Sequence, residues 1–197
     1  MKIERAYKRL LIENPFYGLF LLGLSKVIDR SVETACVRKR GINCELVINP
    51  DYWETQDDTQ QLNLLCHEVY HIVFQHMFLW DSFPNKDILG LATDCEVNSY
   101  LSNLDNSWVV PSIWNLPEKK GTKFYYEEIL KQAPSKQQQS GVSTGDFKKN
   151  NDGQKTKDDH SQWGKDFQEC SNAEKQLIQN QIKDQIKTAA EQTIKTR

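Results

Sequence analysis

The chain has 197 residues with 25 basic and 27 acidic side chains, a formal net charge of −2. That length suits one domain with a core, or a domain and a tail, and the even charge balance excludes the electrostatic signature of a nucleic-acid binder. A mean hydropathy of −0.68 puts part of the chain outside any core. The five cysteines, an odd number with no C-x-x-C pair, argue for a reducing compartment rather than a disulfide framework.

Residues 1 to 12 read as a short amphipathic helix. Asn14-Pro15 then gives a cap and a proline at the first position of an almost wholly apolar helix over 15 to 29. Basic residues ahead of "FYGLFLLGL" imitate a secretion signal. Glu4, Glu13 and Pro15 break that pattern, no small-residue cleavage site follows, and the run is too short to span a membrane. The expectation is a cytoplasmic protein with no membrane contact. Two β-prone runs, Thr34–Arg38 and Cys44–Asn49, joined through Arg40-Gly41, predict a hairpin that ends at Asn49-Pro50. The run Glu45–Ile48 is a candidate edge for aligning an extended peptide.

Asp57 or Asp58 can cap a helix over about 58 to 80. Its apolar positions Leu62, Leu65, Cys66, Val69, Ile72, Val73 and Phe74 recur at helical spacing. After "DSFPNKD" a further helix runs over about 85 to 104, and "KFYYEEILKQ" forms a short amphipathic one. Residues 133 to 158 hold almost nothing apolar and read as a polar linker. The last stretch, 171 to 195, carries a narrow stripe through Ile178, Ile182, Ile186, Ala189 or Ala190, and Ile194. It predicts a helix docking by one edge, in this chain or on a protein partner.

The chemistry gathers in "NLLCHEVYHIVFQH", residues 63 to 76. His67 and His71 are four apart and share a helix face, where two imidazoles can bind one zinc ion. Glu68 projects beside that face, within reach of a water on the metal but outside the ligand positions. His76, five residues past His71, lies about 140° round a continued helix and reads as structural. A third ligand must come from elsewhere. Asp94 in "LATDCEVNSYL" is favoured, with Asn98 one turn further on to support it or the substrate; Glu96 faces away from it. His160 in "DDHSQW" is the rival, with Asp159 as a partner for its imidazole.

"HEVYHIVFQH", "LATDCEVNSYL" and "DDHSQW", preceded by "ELVINPDYW", resemble the metallopeptidase-type domain that often precedes a von Willebrand factor A-like domain in bacteria and phages. The resemblance covers most of residues 1 to 170. It implies a zincin-like α+β fold, mostly helical, with a small hairpin or sheet before the zinc helix. The expected organisation is a core over 1–132, a linker over 133–158, and a segment over 159–197 with the D-D-H-x-x-W island and last helix.

The expected function is zinc-dependent hydrolysis of a protein or peptide substrate. Zn2+ is held by His67, His71 and a third ligand, and Glu68 is the general base. Tyr70, His160 and Asn98 are candidates to steady the oxyanion. The alternatives are a non-catalytic or latent zinc-stabilised interaction module, such as an assembly or virion component, and a zinc hydrolase acting on a non-peptide amide.

Overall fold

The structure is a computed structural model and describes residues 2–133, 160–168 and 170–195. The predicted polar linker, from residue 134 onward, and Asp159 lie outside the described residues. The described chain is mostly helical with one small sheet, as the α+β reading expects. It divides into two compact units, Met1–Ser82 with Asp158–Arg197, and Phe83–Lys157.

The first unit opens with α1 (Ile3–Glu13) and α2 (Pro15–Leu22), separated by Asn14 with Pro15 at the first turn of α2. The two helices pack together closely. A Cβ on Gly18 would lie 2.6 Å from the backbone of Leu11, so only glycine allows the approach. Gly18→Ala is expected to cost roughly 1–3 kcal/mol, because backbone rather than a side-chain tip has to yield. Urea denaturation measures this, and an unchanged midpoint would show that the helices can separate freely.

Helix α2 stops at Leu22, seven residues short of the predicted end. Residues Ser25–Ile28 form β1 instead, parallel to β3 (Asn43–Ile48) from Ser25↔Glu45 to Ile28↔Ile48. A short apolar run fits a helix or a buried strand equally well by periodicity, and the free edge of β3 decides between them. The predicted hairpin is present: β2 (Ala35–Arg40) pairs antiparallel with β3 from Ala35↔Ile48 to Arg40↔Asn43. Gly41 at the turn has φ +60°, where glycine carries no steric penalty.

The sheet order β1-β3-β2 makes β3 the central strand. Both its edges are paired, so Glu45–Ile48 cannot take a peptide by edge addition. That expectation is corrected, because the unforeseen β1 occupies the place.

Asn49 caps α3 (Pro50–Thr55), its side chain accepting from the amides of Asp51 and Tyr52 while its Nδ2 donates to Val32 O. Asp57 caps α4 (Asp58–Val73), accepting from the Gln60 amide at 2.8 Å. Buried Gln61 donates to Trp53 O at 2.8 Å and ties α3 to α4. A 3-10 turn, His76–Ser82, follows α4.

After the undescribed stretch come α7 (Ser161–Gln168) and α8 (Asn172–Lys195). Asp166 of α7 accepts from the backbone amide of Lys39 at 2.9 Å, and Phe167 packs edge-on to Phe78, so α7 is held on β2 and the 3-10 turn. The stripe of α8 buries Ile178, Ile182 and Ala189, and the helix packs on α2, α4 and β3 of this same chain. Gln185 Nε2 donates to Phe20 O at 2.9 Å.

In the second unit, Asn85 caps α5 (Lys86–Asn98), which packs against α6 (Thr122–Gln132). Helix α5 ends six residues before the predicted limit. Ser99 there bonds Cys95 O and the Tyr125 hydroxyl. Glu96 accepts from the amide and hydroxyl of Thr122 and so caps α6.

All five cysteines are free and buried, and burial pushes the thiols of Cys44 and Cys66 up to about 12. No helix among the described residues is long and apolar enough to cross a membrane.

Candidate metal centre

Helix α4 is buried along nearly its whole length, and that is why its polar residues stand out. Leu62, Leu64, Leu65, Val69 and Ile72 form its apolar face, yet His67, Glu68 and His71 are at most 1% exposed. Burying three ionisable groups on two turns of one helix is costly unless they are paired or bind a metal. The imidazoles converge: His67 Nε2 and His71 Nε2 are 2.9 Å apart, with rings at 73° to each other. Asp94, in the third turn of α5, is buried as well. His67 and His71 offer two imidazole donors on α4 of the first unit, and Asp94 offers a carboxylate on α5 of the second. Two imidazoles and one carboxylate are the donor types of a divalent transition-metal site with a position left open. The residues present therefore fit a metal.

The other faces of His71 are occupied by rings. His160, which immediately precedes α7, is buried, with its ring centroid 5.0 Å from that of His71 in an edge-on arrangement. Trp163, on the first turn of α7, lies 4.3 Å from His160 and 5.2 Å from His71 and is fully buried.

His76 is the residue that the helical-wheel argument misplaces. Its Nδ1 lies 2.9 Å from His71 Nδ1. Helix α4 does not continue to 80: it ends at Val73, and Gln75 adopts φ 59°, turning the chain back so that His76 returns over His71. No sequence signal marked this, because glutamine is not a residue that announces a left-handed turn.

A family model described as "Putative metallopeptidase domain" matches residues 1–196. The chain belongs to this family. No curated protein and no solved structure matches it. A metallopeptidase family implies a metal, and the buried His67 and His71 pair offers imidazole donors for one.

Of the remaining candidate residues, Asn98 donates through Nδ2 to Val109 O at 2.7 Å and so clamps the chain that follows α5. Tyr70 accepts a short bond, 2.5 Å, from the Tyr17 hydroxyl and stacks on Phe74. Burial, reinforced by that bond, pushes the Tyr17 hydroxyl well above its ordinary range.

Proposed function

We propose that the protein is a zinc-dependent peptidase in which His67, His71 and Asp94 hold the metal and Glu68 is the general base. The observation that supports this reading is the buried convergence of the His67 and His71 imidazoles, with Glu68 adjacent to the first of them on the same helix and Asp94 buried on α5. A zinc ion held there would acidify a water and polarise a substrate carbonyl.

The chain's own residues then have distinct tasks. His67 and His71 must both be neutral and present Nε2 lone pairs. Asp94 supplies the one negative charge among the three ligands. Glu68 is placed by α4 beside the ligands, where its carboxylate can take a proton from the attacking water and return it to the leaving amine. His160 and Trp163 wall the face of His71 and exclude bulk water from it. The substrate class is an unfolded or extended protein segment, met in the cytoplasm.

A second reading has an observation in its favour. With Glu68 only 1% exposed and both histidines fully buried, the described state is closed to a polypeptide. This favours a latent form that opens before it cuts. Incubation of the full chain with an unfolded protein such as casein, with and without a zinc chelator, tests the enzymatic reading. Chelator-sensitive cleavage supports it. Absence of cleavage by zinc-loaded protein, also after mild destabilisation with sub-denaturing urea, would leave the site as a structural one.

A further inference from the structure

The geometry points to His76 as the positioning residue for His71: its Nδ1 accepts the His71 Nδ1–H and so fixes the ring and tautomer that aim His71 Nε2 at the metal. The inference rests on the metal reading above and adds a residue that the H-E-x-x-H pattern does not contain.

The argument begins with protons. A neutral imidazole has one N–H, and the nitrogen that carries it cannot bind a metal. His71 has Nε2 turned to His67 Nε2 and Nδ1 turned to His76 Nδ1, each pair 2.9 Å apart. For Nε2 to be a ligand, the His71 proton must be at Nδ1. His76 Nδ1 must then be the acceptor, which leaves the His76 proton at Nε2. Metal-binding histidines commonly donate their other N–H to a carboxylate, a backbone carbonyl or water. A neutral imidazole in that role orients the ring without adding negative charge to the site.

Placement supports the assignment. His76 is 1% exposed, with the Phe74 ring 5.6 Å away on one side and Trp163 6.5 Å away on another. Its ring is therefore confined to the orientation that meets His71, at a centroid distance of 5.0 Å. The backbone is shaped for the same end. The Phe74 amide still closes the helix on Tyr70 O, and the Gln75 amide bonds Ile72 O. The left-handed Gln75 then carries His76 back over the helix end. A non-glycine residue held in that region is a departure from the easiest backbone, of the kind retained where it places a neighbour.

The test is zinc affinity of the full chain, measured by competition with a chromogenic chelator. His76→Phe keeps a buried ring but removes the acceptor. His76→Asn can put Oδ1 where Nδ1 was. The Phe variant is expected to bind zinc about 10- to 100-fold more weakly, the loss typical of removing such a partner. The Asn variant should stay within about threefold of wild type. Thermal melts of the chelator-treated proteins identify any general loss of fold.

A second measurement needs no substitution. Long-range 15N–1H spectra of the zinc-loaded wild type should show His71 protonated at Nδ1 and His76 at Nε2. Equal zinc affinity of the Phe variant and wild type, equal weakening of Phe and Asn variants, or a His76 proton at Nδ1 would each overturn the inference while leaving the metal site in place. A wild type that binds no zinc would overturn the metal reading itself.

Discussion

Glu68→Gln should leave the metal in place and reduce hydrolysis by roughly 10²-fold or more, the contribution of a well-placed general base. The substitution preserves the shape of the side chain and its capacity to bond, which matters at a position 1% exposed on a packed helix. It removes only the ability to accept and return a proton. In the proposed site the metal donors come from His67, His71 and Asp94, and Glu68 is not among them. Zinc content and cleavage rate should therefore separate: content unchanged, rate collapsed. A parallel loss of both would show that Glu68 is a ligand or a structural acid, and the base would have to be sought elsewhere.

The second large effect is on stability. His71 is met on several sides, with His67 at one nitrogen, His76 at the other, and His160 and Trp163 against its ring. His71→Ala is expected to abolish stoichiometric zinc binding and to make the protein melt lower. A metal present at about 1,000 times its dissociation constant contributes about 4 kcal/mol to the folded state. For a chain of this size that corresponds to roughly 10 °C. The informative comparison is with a chelator. Chelation should lower the wild-type melting temperature by that order and leave His71→Ala where it is. A chelator-induced shift of equal size in the variant would mean that the metal responsible is held somewhere else.

Much of this architecture was legible from residue patterns, and the failures have identifiable causes. α1, the hairpin and α4 were announced by amphipathic spacing, Asp57 and a glycine turn, all local signals. β1 was not, because Ser25–Ile28 becomes a strand only by pairing with β3, each residue with one twenty further along the sequence. The same pairing removed Glu45–Ile48 from candidacy as a peptide-binding edge. The stripe on α8 was correctly seen as a docking edge, but only tertiary structure shows that α2, α4 and β3 receive it.

At the site, His67, Glu68 and His71 were readable because helical spacing converts four residues into one turn. Asp94 was readable as a candidate from its buried helix. The direction of His76 was not readable for the converse reason: the helix rule does not hold past Val73, where a single left-handed residue cancels it. Trp163 ends the "DDHSQW" island, but its place against His71 depends on α7 being held by Asp166 and Phe167.

The central claim is that His67, His71 and Asp94 hold one zinc ion. Elemental analysis of the full chain, purified without chelators, combined with zinc X-ray absorption spectra of wild type and Asp94→Ala, tests it most directly. The account predicts about one zinc per chain, nitrogen and oxygen neighbours at about 2.0–2.2 Å with the scattering of two imidazoles, and sharply weakened binding in Asp94→Ala. Protein that carries no metal and takes up none, or an Asp94→Ala variant with wild-type zinc content and an unchanged spectrum, would contradict it.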